Sequence, residues 1–139
     1  MRQVIADAAA GWGRGRVREL GHVAQDVVPS LVAAADVSLL VSDFEGLSNS
    51  MLESLAAGTP MVATPVGDNG VVLSHVDRAL LTDGFATADI AARIGWAWER
   101  RDCLAPKARA AAELFSLDAR VARIVALAEE IVATERRGS

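Results

Sequence analysis

Residues 43–67, DFEGLSNSMLESLAAGTPMVATPVG, carry two glutamates, Glu45 and Glu53, with seven residues between them. Carboxylates accept hydrogen bonds from hydroxyl groups and are poor partners for phosphate. Between them, Gly46, Ser48, Asn49 and Ser50 are small or polar and leave the backbone open to close approach. A helix beginning near Asn49 would present unpaired N–H groups at its positive dipole end, which suits phosphate oxygens. A ligand with phosphate in the middle and hydroxyl-rich groups on both sides, such as a nucleotide diphosphate sugar, matches that order of groups. A structural alternative stands beside it. Ser50-Met51-Leu52-Glu53 has capping-box spacing, in which Ser50 and Glu53 satisfy each other's backbone donors and Glu45 is a solvated loop acid. The local pattern leaves both open.

Such residues need a scaffold that sets a helix start at a sheet edge. Residues 37–41 (VSLLV) form an apolar run between Asp36 and Ser42, the pattern of a strand covered on both faces. A helix is expected over 49–57, closed by Gly58 and barred from continuing by Pro60. Residues 61–64 read as the next buried strand and 66–70 as a loop. Residues 71–76 fit a short helix or a strand equally, and 78–81 fit a last short strand. Upstream, 1–10 reads as a helix, 11–15 as a loop, 16–20 as a short strand, and 26–35 as a short helix with Pro29 in its first turn. Downstream, Thr87 is expected to cap a helix to about residue 101, and a second helix covers roughly 106–114. Ser116 with Asp118 opens a final helix, with Val121, Ile124, Val125, Ala128, Ile131 and Val132 on one stripe. Strands separated by helices imply an α/β fold, a parallel sheet with flanking helices. Ligands of such sheets sit outside the carboxyl ends of the strands, where 43–67 begins.

The 139 residues suffice for one domain. A net charge of −4 gives no general attraction to nucleic acid or membrane. The single cysteine, Cys103, excludes an internal disulfide and fits a cytoplasmic, reducing location. No apolar run has the length of a membrane span, and the N-terminus lacks a signal-peptide pattern. Gly11, Gly13 and Gly15 have the wrong spacing for a dinucleotide fingerprint. His75 reads as an exposed connector residue, Cys103 as an inert thiol, and the Arg100-Arg101 and Arg136-Arg137 pairs as helix-end charges. Trp96 and Trp98 cannot share a helix face, so one is expected in the core and one partly exposed. No metal-ligand cluster is evident.

The whole 43–67 string resembles the signature of retaining GT-B glycosyltransferases of the glycosyl transferases group 1 family. The matching residues are Ser42, Glu45-Gly46-Leu47-Ser48, Leu52-Glu53-Ser54, Ala56 through Thr64, and Val66-Gly67. The blocks RVRELGHV and LVAAADVSLLVS upstream and LFSLDARVARI downstream are also similar to family blocks, so the likeness covers almost the whole chain. It implies a Rossmann-like C-terminal half-domain over 1–139, truncated at its N-terminus, with 116–139 as the closing helix. It also implies roles. Glu45 would hold hydroxyls of the donor sugar and serve as the catalytic residue, and Glu53 would hold the nucleotide ribose hydroxyls. Backbone amides of Gly46, Leu47, Asn49 and Ser50, with Ser48 among them, would face the sugar and the diphosphate. Gly21, His22 and Val23 would lie near the base. The family transfers sugar with retention and needs neither metal nor cofactor.

Two departures stand out. Residues 67–71 read Gly-Asp-Asn-Gly-Val where the family often has Gly-Gly-x-x-Glu. The family's Arg and Lys clamp for the diphosphate is absent, and no Lys or Arg occurs from Glu19 through Asp77. The resemblance therefore implies a donor-binding part that needs an N-terminal acceptor domain, in trans if not in cis, and that alone transfers no sugar. Any peripheral membrane association would come through that other portion. The alternatives are a GT-B sugar-nucleotide epimerase fragment, or a non-catalytic module that pairs with a separate polypeptide. The nucleotide, the sugar, the acceptor and the oligomeric state are not specified by these residues.

Overall fold

The computed structural model describes residues 18–138. The expected helix over 1–10, the loop over 11–15 and the first two positions of the expected strand over 16–20 lie outside the described residues. The first element, α1 (Val28–Ala33), carries Pro29 in its first turn, where a missing N–H costs nothing. Two strands follow, β1 (Ser38–Leu40) and β2 (Met61–Ala63), paired in parallel with Ser38, Leu39 and Leu40 opposite Met61, Val62 and Ala63. A parallel pair requires a crossover, and α2 (Asn49–Ala57) supplies it.

The ends of α2 explain its placement. Met51, Ser54 and Leu55 are buried at i, i+3 and i+4, so one face turns inward. Gly58 follows at φ +85°, the left-handed conformation that glycine takes without penalty. Its N–H bonds Leu55 O (2.9 Å) while the Thr59 N–H bonds Ser54 O (3.0 Å), a Schellman closure. Arg109 Nη2 donates to Ala57 O (3.3 Å), placing a cation at the negative end of the helix. The Ser54 hydroxyl lies 2.9 Å from both Ser38 Oγ and Thr59 O, and Thr59 Oγ1 donates to Val32 O (2.8 Å). The exit of α2 is thus tied to α1 and β1.

After β2 come α3 (Asn69–Ser74), a 3₁₀ turn (Arg78–Leu80), α4 (Thr87–Leu114) and α5 (Leu117–Gly138). The core gathers Leu55, Val62, Val72, Leu73, Leu80 and Leu104, all buried. The long α4 packs on α2, β2 and the 3₁₀ turn. Its contact face uses Ala97, Ala108 and Ala111, whose small side chains permit close approach. Trp96 packs against the core and Trp98 is half exposed, as one helix face can hold only one of them. Arg93 ties the start of α4 to the preceding turn. It pairs with Asp89 (3.1 Å) and Asp83 (3.1 Å), and Asp89 also accepts from the Asp83 N–H (2.7 Å). That N–H, with Arg93, holds the Asp89 carboxyl below its ordinary range. A depressed carboxylate stabilises the fold above its unfolded pKa, so this tie weakens only as pH falls through the acid range.

Several elements differ from the sequence reading. The described part of the expected strand over 16–20, residues 18–20, is irregular rather than extended in a sheet. The 37–41 run is covered on one side only among the described residues, since Leu39 and Val41 are about half exposed. Residues 69–74 are helical because Asn69, Val72 and Leu73 are buried at i, i+3 and i+4, which a strand cannot achieve. Residues 78–80 form a 3₁₀ turn capped by Asp77, and the chain reaches the sheet just after it, through a parallel bridge of Leu81 to Ala63 and the Thr82 N–H on Ala63 O (2.9 Å). Thr87 is not the cap of α4; Ala86 holds that position and no side chain caps it. The two helices expected over 87–101 and 106–114 are one. Pro106 sits inside α4 despite a usual penalty of about 3 kcal/mol, offset by burial of Leu104, Ala108 and Ala111 around it. Ser116 caps α5 as expected, accepting from the Ala119 N–H (3.2 Å).

The apolar stripe of α5 is exposed: Ile124 66%, Ile131 53% and Val132 47%. Ile124→Gln should therefore change the unfolding free energy by less than about 0.5 kcal/mol while lowering binding of an apolar-surface dye. Denaturant titration with dye fluorescence checks this. The two glycines of opposite environment should respond with opposite sign. Gly58→Ala should destabilise by about 1–2 kcal/mol, from its left-handed backbone. Gly95→Ala, in open space on α4, should stabilise by up to about 1 kcal/mol.

Candidate functional site

The carboxyl ends of β1 and β2 are locked by one threonine. Thr64 Oγ1 accepts from the Ser42 N–H (3.2 Å) and donates to Ser42 O (3.0 Å), while the Thr64 N–H bonds Leu40 O (3.1 Å). Asn69 Nδ2 reaches back from the start of α3 to Thr64 O (3.0 Å). Ser42 is thereby fixed, and its hydroxyl donates to Glu45 Oε1 (2.8 Å). This bond orients the half-buried Glu45 carboxylate and leaves its second oxygen available. The loop beneath is pinned from the other side. Gly46 O accepts from the Asp68 N–H (3.3 Å). Gly67, at φ +52°, passes under Glu45 so closely that a Cβ would meet the carbonyls of Glu45 and Gly46 at less than 3.0 Å.

The chain then rises into α2. Leu47 packs against the core. Ser48 is the N-cap residue, buried and extended at ψ 119°, yet no side chain caps the helix. Its hydroxyl is engaged with that of Ser50 (2.9 Å) instead. The first α2 amide to find a helical partner is Leu52 N–H, on Ser48 O (3.2 Å). The amides of Asn49 and Ser50 are left at the positive end of the dipole, on residues exposed to solvent. The capping-box alternative does not form: the cap is two residues before Ser50, and Glu53 is an exposed residue of the second turn.

Glu53 and Asn49 line one depression of about 330 Å³, between α2 and the junction of α4 with α5. Leu52, Phe115 and Arg120 complete much of its wall. Glu45 and Gly46 belong to the loop lock and, like Leu47 and Ser48, do not line this depression. Gly21, His22 and Val23 lie in an irregular segment with Gly21 at φ +66° and His22 exposed. No hydrogen bond among the described residues ties them to 45–53. Thr64, Gly67 and Asn69 were not singled out as site supports by sequence reasoning. Asn69 carried a signal, a polar residue in phase with Val72 and Leu73; Arg120, distant in sequence, carried none. Among the described residues no group of three acidic, histidine or cysteine side chains could hold a metal.

Residues 2–100 match the family described as glycosyl transferases group 1. The chain belongs to this family. It is 35% identical over 138 residues to a D-inositol 3-phosphate glycosyltransferase of Geodermatophilus obscurus, covering 96% of this chain and 31% of that protein. An N-acetyl-alpha-D-glucosaminyl L-malate synthase of Bacillus anthracis is 37% identical, over 55% of this chain and 19% of its own length. A mannosylfructose-phosphate synthase of Agrobacterium fabrum is 34% identical, over 50% and 15%. The chain thus spans about a third or less of these relatives. No solved structure gives a significant match.

The lock at Gly67 should be intolerant of any side chain. Gly67→Ala should lower the unfolding free energy by about 1–3 kcal/mol, from left-handed strain plus displacement of the Glu45 loop. Amide shifts of Ser42 and Gly46 should move with it, read by NMR beside urea unfolding.

Proposed function

We propose that this chain binds a nucleotide diphosphate sugar at the carboxyl ends of β1 and β2, as the donor part of a retaining hexosyltransferase. The observation that carries this reading is the Glu45 carboxylate, oriented by Ser42, beside an uncapped helix start. The free oxygen of Glu45 accepts hydroxyls of the donor sugar and holds its reacting carbon in place. The amides of Gly46, Leu47, Asn49 and Ser50, with the Ser48 hydroxyl nearby, face the sugar and diphosphate. Glu53 accepts the ribose hydroxyls, and residues 21–23 approach the base. As the bond to the nucleoside diphosphate breaks, negative charge grows on the leaving oxygen. Fixed amides at a helix start stabilise that charge without reorganising. The reaction uses neither metal nor further cofactor, and the acceptor is positioned by residues outside this chain, which covers only part of its relatives.

The two glutamates separate the roles. Glu53→Gln replaces a charge-assisted hydrogen bond by a neutral one and should weaken nucleoside diphosphate binding about tenfold. Its exposure means the thermal midpoint should hardly move. Glu45→Gln should leave the nucleoside diphosphate affinity unchanged and remove the extra affinity given by the attached sugar. Calorimetry with UDP, GDP and ADP and their sugar conjugates measures both, with a chelator present to test metal independence. Equal affinities in Glu53→Gln and wild type would defeat the ribose assignment.

A further inference from the structure

The donor residues lie in a stretch with no Lys or Arg, from Glu19 through Asp77, although a diphosphate is a strong anion. Among the described residues, the fold brings a cation to them from α5. Arg120, in the first part of α5, lines the same depression as Asn49 and Glu53. We infer that Arg120 contacts the phosphates of a nucleotide whose ribose hydroxyls are held by Glu53. This rests on the donor reading given above and adds to it a source of positive charge.

Three observations support the assignment. First, Arg120 and Glu53 carry opposite charge and face one depression, yet neither forms an ion pair or side-chain hydrogen bond among the described residues. An acceptor and a donor left apart suit a ligand with hydroxyls at one end and phosphate at the other. Neighbouring arginines are engaged elsewhere: Arg109 on Ala57 O, and Arg101 on Asp36 (3.0 Å).

Second, helix stability gives no reason for a cation at position 120. Ser116 caps α5, so Arg120 stands near the positive end of the dipole, where a cation is unfavourable. No carboxylate stands three or four residues away on either side, and Arg123 adds a like charge at i+3. An anion from outside the helix would reverse that cost.

Third, the mounting is firm and the spacing fits. The junction is held by Phe115 N–H on Ala112 O (3.2 Å), Ser116 N–H on Glu113 O (3.2 Å) and Arg120 N–H on Ser116 O (3.0 Å). Phe115 is braced edge to ring against His75 (5.6 Å between centroids). Asn49, the first residue of α2, opens onto the same depression, so two positive ends converge there. From Asn49 to Glu53 the helix rises about 6 Å, the scale of the step from a 5′-phosphate to the ribose hydroxyls.

The test is binding of UDP, GDP and ADP, and of uridine, guanosine and adenosine, to the full chain by NMR titration at several salt concentrations. Wild type, Arg120→Ala, Arg120→Lys and Glu53→Gln are compared. Arg120→Ala should weaken the preferred nucleoside diphosphate about tenfold and flatten its salt dependence, leaving the nucleoside unaffected. Arg120→Lys should restore part of the loss. Glu53→Gln should weaken nucleoside and diphosphate alike. Wild-type affinity and salt dependence in Arg120→Ala, with Glu53→Gln impaired, would overturn the inference and keep the donor reading. Equal losses for nucleoside and diphosphate in Arg120→Ala would assign it a structural role and also overturn it. No binding of any diphosphate to wild type would remove both.

Discussion

The site depends on how closely two loops cross at the carboxyl end of the sheet. Glu45 can be held only if its backbone rests on residues 66–68, and that contact leaves no room for a Cβ at Gly67. Thr64 sets the distance by bonding both polar groups of the Ser42 backbone, and Asn69 fixes Thr64 in turn. The chain therefore runs from a buried strand end, through one hydroxyl, to a carboxylate at the surface. Each partner is neutral until Glu45, so the charge is oriented by groups that need no counter-ion of their own. The Oδ1 of Asn69 is buried without a partner among the described residues, a sign of how far this lock is favoured over local satisfaction.

Electrostatically the site is built from backbone. The start of α2 is left uncapped because Ser48 and Ser50 bond each other. A serine turned to the backbone would stabilise the helix but fill the place where an anion can bind. The other end of α2 is closed fully, by the Schellman turn at Gly58 and by Arg109. This asymmetry, one end satisfied and one open, separates the structural end of the helix from the end proposed to bind.

Much of this was legible in the sequence. Asn49, Gly58 and Pro60 bound α2 where turn chemistry places them, because those residues act locally. The short strands at 38–40 and 61–63 followed from their apolar runs, and the capping Ser116 from its spacing. Failures came where a local signal was ambiguous or a distant partner decided. Pro106 reads as a helix boundary, yet burial of alanines along α4 carries the helix through it. Alternation at 16–20 suggests a strand, yet its described part, 18–20, is irregular. The role of Gly67 depends on Glu45, more than twenty residues earlier, and Arg120 shares a depression with Glu53 from far along the chain. Capping-box spacing at Ser50 and Glu53 was genuine as a pattern, but the cap fell on Ser48, which extended backbone geometry alone decides.

The central claim is that phosphate is received at the open end of α2. Amide NMR of the full chain, titrated with UDP, GDP and ADP, tests it most directly. The account predicts that one of these ligands shifts the amides of Gly46, Asn49, Ser50 and Glu53 first and most. Shifts confined to the closed end, around Gly58 and Arg101, or no shift at 46–53 with any of the three, would contradict it.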